Sequence, residues 1–193
     1  LLKAKLEAEG LLAPARKRAL PRVPAYVGVI TSTESAAYAD FTKIVGERWG
    51  GLRIDVAHTQ VQGAIAADQI IGALRYFNSL EELPEVLVII RGGGSAEDLA
   101  SFNDEPLARA IAESRIPTLV GVGHEIDHTL ADMVSDVRAS TPTNAAEMLV
   151  PDRREIIRAV KQQTASVGHL VVQAIDRQSV TMKEQLESSY TRI

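Results

Sequence analysis

The run Val86–Ile90 constrains the fold most, because its five residues are all apolar, four are β-branched, and a glycine turn follows directly. Such a run predicts a strand buried on both faces of a parallel sheet. The turn consists of Arg91, Gly92, Gly93, Gly94 and Ser95. Glycines allow close backbone approach, free N–H groups bind anions, and arginine grips phosphate with two parallel hydrogen bonds. The sequence therefore predicts a phosphate site at residues 91–95.

Strands and helices alternate around this run. The pattern predicts further strands at 26–31, 52–58 and 117–123, with helices at 35–48, 64–79 and 104–114 and a turn-to-helix segment from 124 to about 134. This alternation predicts the α/β class, a parallel sheet with flanking helices. Ligands of such sheets collect at the carboxyl ends of the strands. Those ends carry Thr31-Ser32, His58-Thr59, Arg91-Gly92 and Gly123-His124.

Composition divides the chain into three parts. Residues 1–24 are predicted to form a short helix and a proline-punctuated linker, and residues 25–150 the α/β domain. Glycine and proline nearly vanish in residues 151–193, where apolar residues recur at helical spacing. This favours one long helix, and a coiled-coil-like arm that binds a partner is favoured over a helix lying on the domain.

Composition also excludes several classes of protein. The chain has 193 residues and no cysteine, which excludes disulfides and thiolate chemistry and fits a cytoplasmic location. No apolar run reaches the roughly 18 residues of a membrane helix. The first residues contain neither Met nor a signal-peptide pattern, as expected of a fragment.

The net charge of −4 bears on the partners. A stand-alone nucleic-acid binder is usually basic, so DNA binding would need local clusters or another part of the protein. The basic clusters at 16–18 and 153–158 are predicted mainly to be solvated surface.

A second motif, His124-Glu125-Ile126-Asp127-His128, leaves the strand predicted at 117–123. On a helix, Asp127 would share a face with His124, and Asp132 with His128. A histidine beside a carboxylate suits general acid–base catalysis, and the same residue types also bind metals. The run matches His-Glu-x-x-His, but the zinc-protease motif lies within a helix, whereas glycines place His124 at a strand exit.

Together these patterns favour phosphodiester hydrolysis. The glycine turn lacks both the Walker lysine and the Gly-x-Gly-x-x-Gly pattern, so nucleoside triphosphates and dinucleotides are not favoured. Arg91 and the glycine N–H groups would stabilise phosphoryl charge, and His124 would transfer a proton. Asp127 would orient the imidazole or hold the attacking water. Gln62 marks a backbone approach to the ligand or a plain turn, and Asp40 considered alone is a solvated helix residue.

Several ordered motifs resemble the large subunit of bacterial exonuclease VII. They are RGGGSAEDL at 91–99, SFNDE at 101–105, GHEID at 123–127, DVRA at 136–139, TPTNAAE at 141–147, GVITS at 28–32 and VQG at 61–63, together with Ala36, Ala37 and Asp40. The resemblance is close over residues 1–150. In the tail that follows, it consists in the helical character of the sequence.

The resemblance implies a nuclease that cleaves single-stranded DNA from either end and releases oligonucleotides. It implies a catalytic set of Asp40, Arg91, His124 and Asp127. Substrate contacts are expected from Thr31, Ser32, Gln62 and the turn 92–95. It also implies an upstream OB-fold domain outside this sequence and several copies of a small helical subunit docked on the arm. The resemblance implies that no cofactor is strictly required and does not decide whether Mg²⁺ takes part.

Two other functions remain as alternatives. The chain could be a phosphate or nucleic-acid binding module without catalysis, in which case DNA binding would survive loss of Asp40 and Asp127. It could also be an assembly scaffold built on residues 151–193, in which case the glycine turn would have no measurable role.

Overall fold

A computed structural model describes residues 2–92, 96–123 and 128–190, without the side chains of 96–98 and 184–190. The described residues form five strands in one parallel sheet, in the order β2-β1-β3-β4-β5. The strands are β1 (Tyr26–Thr31), β2 (Arg53–His58), β3 (Val86–Ile90), β4 (Thr118–Gly121) and β5 (Val137–Arg138). The predicted α/β class is confirmed.

Helices cover both faces of this sheet. They are α1 (Leu2–Ala8), α2 (Ala36–Arg48), α3 (Ala66–Ser79), α4 (Glu105–Ala112), α5 (Leu130–Val134) and α6 (Pro142–Leu149), and a 3-10 helix spans Ala96–Asn103. The 3-10 helix, β5 and α6 were not predicted from the sequence. All these elements belong to one compact unit, Leu1–Asp152.

Two apolar clusters hold the layers together. On one face, alternate residues of β1 and β3 such as Ile30 and Ile89 pack with α3, α4 and α5, and Leu6 of α1 is fully buried among them. On the other face, Val29 and Val88 pack with α2 and α6. β3 is buried at every position, as its uninterrupted apolar run predicts.

The N-terminal segment is fastened to the domain by its basic residues. The guanidinium of Arg18 donates from Nε and Nη2 to the two oxygens of Asp136, at 2.9 and 2.7 Å. Lys17 Nζ donates to the carbonyls of Met133 and Ser135. The prediction of a solvated surface at residues 16–18 was wrong for these two residues, because each finds acceptors at the end of α5 or between α5 and β5.

The second compact unit is Arg153–Ile193, in which α7 (Arg153–Tyr190) is a single helix of 38 residues. At 1.5 Å per residue its length is about 57 Å. The predicted long C-terminal helix is confirmed. Within the described ranges, no helix is long and apolar enough to cross a membrane.

Candidate active site

A cavity of about 580 Å³ lies at the carboxyl end of the sheet, where β1 and β3 are neighbours. The strand order changes direction at this point, since β2 lies on one side of β1 and β3 on the other, and ligands of open parallel sheets bind at such a position. Four residues predicted to contact substrate or phosphate line this cavity together: Ser32, Gln62, Arg91 and Gly92. We call it the strand-end cavity.

Arg91 directly follows β3 and is only 3% exposed although it lines the strand-end cavity. Its backbone N–H donates to the carbonyl of Gly121 at the end of β4, at 3.4 Å. The position of Arg91 is therefore set by the sheet rather than by a loose loop. In a partly dehydrated site, the attraction of a guanidinium for phosphate is greater than in water.

The N-terminus of α2 borders the same cavity. Ser35 caps the helix, because its hydroxyl accepts from the N–H of Tyr38 at 3.2 Å and donates to the carbonyl of Ser32 at 2.7 Å. A Cβ added to Gly92 would lie 3.5 Å from the Cβ of Ala37 and 3.9 Å from its backbone nitrogen. The glycine turn thus begins against the first turn of α2, where unpaired N–H groups and the helix dipole favour an anion.

His58 at the end of β2 holds the loop between β1 and α2. Its Nδ1 accepts from the N–H of Thr33 at 3.2 Å and lies 2.8 Å from the hydroxyl of the same residue. Since Nδ1 is the acceptor, a neutral imidazole carries its proton on Nε2. No specific role was predicted for His58, although its place at a strand end was a usable signal. Three residues that line the strand-end cavity were not predicted either: Glu34, Ser35 and Gln60.

The other predicted residues take different positions. Thr31 is completely buried, and no described residue hydrogen-bonds its hydroxyl. Asp40 is exposed on α2 and is not among the described residues that line the cavity. It lies one turn beyond Ala36, which does line it. Because side chains of a helix lean toward its N-terminus, the carboxylate of Asp40 leans back toward that lining residue.

Five predicted site residues lie outside the described residues: Gly93, Gly94, Ser95, His124 and Asp127. The described segments that begin at residues 96 and 128 are hydrogen-bonded to other parts of the domain. The amide oxygen of Asn103 accepts from the N–H of Leu130 at 3.0 Å, and Ser101 donates to the carbonyl of Gly63 at 3.0 Å. The 3-10 helix therefore connects the start of α5 with the loop that carries Gln62.

The predicted pairing of His128 with Asp132 on one helix face was wrong. Thr129 is the N-cap of α5, so His128 precedes the helix. The carboxylate of Asp132 accepts from the N–H and the hydroxyl of Thr129, at 2.9 and 2.8 Å, which completes a capping box. Asp132 is therefore a structural cap, and it is buried at 4% exposure.

Comparison with known proteins adds an independent result. The family model described as "Exonuclease VII, large subunit" matches residues 11–193. Proteins named "Exodeoxyribonuclease 7 large subunit" include one from Rhodopirellula baltica, 46% identical over 99% of this chain and 42% of its own length. Another from Thiobacillus denitrificans is 52% identical over 83% of this chain and 36% of its own length. A third, from Desulforudis audaxviator, is 46% identical over 97% of this chain and 45% of its own length. The chain thus spans less than half of these relatives.

Proposed function

Because this chain belongs to the exonuclease VII large-subunit family, we propose that it is the catalytic region of an exodeoxyribonuclease. The substrate is single-stranded DNA, degraded from either end into oligonucleotides. The observation that carries this proposal is the buried Arg91 in the strand-end cavity, beside Gly92 and the N-terminus of α2. All three features attract a phosphodiester, and Ser32 and Gln62 add neutral hydrogen-bonding groups to the same cavity.

The first chemical role is to stabilise the phosphoryl oxygens. Water attacks phosphorus, the bond from phosphorus to one ester oxygen breaks, and negative charge grows on the non-bridging oxygens. Arg91 and the N–H groups of Gly92, Gly93 and Gly94 neutralise that charge. Donors fixed before the reaction are effective because they need no reorganisation in the transition state. Ser95 completes the proposed set of substrate contacts, and Thr31, which is completely buried, is not among them.

The second role is proton transfer, which the proposal gives to His124, Asp127 and Asp40. His124 moves a proton between the attacking water or the leaving oxygen and solvent, since its unperturbed pKa lies near neutrality. Asp127 orients the imidazole or holds the water. Asp40, on α2 one turn beyond the lining residue Ala36, provides a second carboxylate. Support for these roles comes from the motifs, and for Asp40 also from its position one turn beyond Ala36.

The proposal includes Mg²⁺ only as a testable addition. Within residues 2–92, 96–123 and 128–190, no three His, Asp or Glu side chains cluster closely enough to hold a metal ion. Asp40 and Asp127 would be the carboxylates available to a hard cation such as Mg²⁺. Cleavage assays with and without a chelator distinguish a mechanism that needs Mg²⁺ from one that does not.

We propose that α7 binds the small subunit of exonuclease VII, in several copies along its length. Several of its apolar side chains between 160 and 182 are more than half exposed and recur at spacings of three, four and seven residues, as in helices that pack on other helices. They include Val160, Val167, Leu170, Val171, Ile175 and Met182. An OB-fold elsewhere in the full-length protein would supply the basic strand-binding surface that this acidic chain does not. A cytoplasmic location is part of the same proposal.

The test uses the full-length large subunit that carries this region, assembled with the small subunit. End-labelled single-stranded DNA is incubated with the wild type and with His124→Ala, Asp127→Asn and Asp40→Asn, each with and without chelator. We expect kcat to fall by about 100-fold or more for His124→Ala, within the range of general acid–base catalysis. Glu47→Gln, an exposed carboxylate farther along α2, is the control for Asp40→Asn and retains activity.

The alternatives give distinct results in this assay. A binding module without catalysis would retain strand binding in all variants and show no turnover in the wild type. A scaffold would assemble through α7 and neither bind nor cleave DNA through the strand-end cavity. Unchanged cleavage by His124→Ala would contradict the proposed mechanism.

A further inference from the structure

A second opening lies next to the strand-end cavity, at the edge of the sheet. This groove of about 430 Å³ is formed by residues 57–60 at the end of β2 and by one face of α3. The α3 residues are Gln69, Gly72, Ala73 and Tyr76, which are spaced i, i+3, i+4 and i+7 and so share one side of the helix. We call this opening the edge groove.

The lining of the edge groove suits a neutral, flat and polar ligand. Tyr76 is 57% exposed, an unusual state for a large aromatic ring, and its neighbour Phe77 is fully buried and meets it edge to face at a centroid distance of 5.3 Å. His58, Gln60 and Gln69 add hydrogen-bond donors and acceptors, and none of the eight lining residues carries a carboxylate. A nucleobase presents this combination of an aromatic face and a polar edge.

A buried hydroxyl provides an independent observation. Thr59 also lines the edge groove and is only 4% exposed, yet its hydroxyl has no hydrogen-bond partner among the described residues. Its backbone is fixed, since its N–H donates to the carbonyl of Thr31 at 3.0 Å. Buried polar groups in native proteins nearly always have a partner. A base edge in the groove would provide one.

The edge groove and the strand-end cavity share Gln60 in their linings. A single strand with one phosphate beside Arg91 can therefore place a neighbouring nucleotide in the groove without leaving the surface of the domain. We propose that the edge groove binds a nucleobase of the strand, stacked on Tyr76 and hydrogen-bonded along its lining, and so holds the strand during cleavage. This inference rests on the proposed function, because it takes the ligand of the strand-end cavity to be a DNA phosphate.

Two substitutions change the groove in opposite ways. Tyr76→Ala removes the stacking surface, whereas Tyr76→Phe keeps it and is the rescue variant. Gly72→Leu places a bulky side chain in the groove, and a Cβ at Gly72 meets nothing within 4 Å. Gly46 in α2 is the matched control, since it too is a helical glycine with nothing within 4 Å, and Gly46→Leu lies away from both openings.

The experiment measures KM and kcat for cleavage, and binding by fluorescence anisotropy with a labelled single-stranded oligonucleotide. Both use the full-length large subunit assembled with its small subunit, and binding is measured in the His124→Ala background. We expect Tyr76→Ala and Gly72→Leu to weaken binding and raise KM by about 5- to 150-fold, the range of one base–aromatic stack. The variants Tyr76→Phe and Gly46→Leu should stay within about 2-fold of the parent protein, because the stack persists.

An abasic site moved along the oligonucleotide identifies the bound base. At one position of the oligonucleotide, loss of the base should weaken binding to the parent protein. The same loss should not change binding to Tyr76→Ala. If Tyr76→Ala and Gly72→Leu cleaved the strand with unchanged KM and unchanged binding, the proposed role of the edge groove would be overturned. The nuclease proposal would remain intact. A wild type that neither binds nor cleaves single-stranded DNA would instead overturn the proposed function, and the inference with it.

Discussion

Removal of the Asp136 carboxylate is predicted to destabilise the α/β domain more than removal of any exposed carboxylate. Asp136 is 6% exposed in its side chain and accepts from Arg18 through the backbone N–H, Nε and Nη2. It also accepts from the N–H and the hydroxyl of Thr118, at 2.8 and 3.1 Å. One carboxylate thus connects the N-terminal segment, the start of β4 and the segment before β5.

The magnitude follows from these contacts. In Asp136→Ala, the N–H of the fully buried Thr118 loses its acceptor, at a cost of about 1–3 kcal/mol. The ion pair adds little, because Arg18 is 37% exposed and solvent screens such a pair to about 1 kcal/mol or less. We expect a loss of about 3 kcal/mol in the free energy of unfolding, or about 6–12 °C in Tm for a domain of this size.

The loss should depend on pH. Burial alone would raise the pKa of Asp136, but hydrogen bonds from Arg18 and Thr118 outweigh it and hold the pKa below the usual 3.8. A carboxylate with a lowered pKa in the folded state stabilises above its unfolded pKa and loses this effect as the pH falls through its folded pKa. The difference between wild type and Asp136→Ala should therefore be constant at neutral pH and shrink only below about pH 4.

The assay is urea unfolding followed by circular dichroism, from pH 7 down to pH 3. Glu82→Ala is the control, since Glu82 is 73% exposed although it pairs with Arg53 at 2.8 Å. Its effect should stay within about 0.5 kcal/mol. If Asp136→Ala cost no more than Glu82→Ala at pH 7, the inferred role of the carboxylate would be refuted.

Three further predictions concern packing and caps. Gly28→Ala should lower the free energy of unfolding by about 1–3 kcal/mol, because its Cβ would lie 2.6 Å from Cδ2 of Leu87. The control Gly46→Ala, where the space is open, should cause no such loss in chemical unfolding. Thr129→Ala removes the cap of α5 and should cost about 1–2 kcal/mol by thermal unfolding. Ser35→Ala removes the cap of α2 beside the strand-end cavity. It should lower stability by about 1 kcal/mol and raise KM for single-stranded DNA. An unchanged KM would show that the cap does not contribute to substrate binding.

The sequence was most informative where one pattern has one physical meaning. The apolar run Val86–Ile90 needs burial on both faces, and the structure places it in the middle of a parallel sheet. Because parallel strands end at one edge, the residues after β1 and β3 could be expected to meet there. Ser32, Arg91 and Gly92 do line one cavity.

The sequence was less informative where a residue type serves two purposes. Asp132 suits both a histidine partner and a helix cap, and only the start of α5 after Thr129 decides for the cap. Likewise, Lys17 and Arg18 resemble solvated surface until their acceptors from a distant part of the chain are known. By contrast, α6 could have been predicted, since Thr141 and Pro142 are a typical N-terminal signal of a helix.

The most direct test of the central claim is kcat for single-stranded DNA in Arg91→Lys, measured with the full-length large subunit and its small subunit. Lysine keeps the charge but loses the two-pronged grip, so we expect kcat to fall by about 100-fold or more. The control Arg75→Lys, an exposed arginine on α3, should leave kcat unchanged. If Arg91→Lys cleaved the strand as fast as the wild type with an unchanged Tm, the strand-end cavity would not be the site where the phosphate is held.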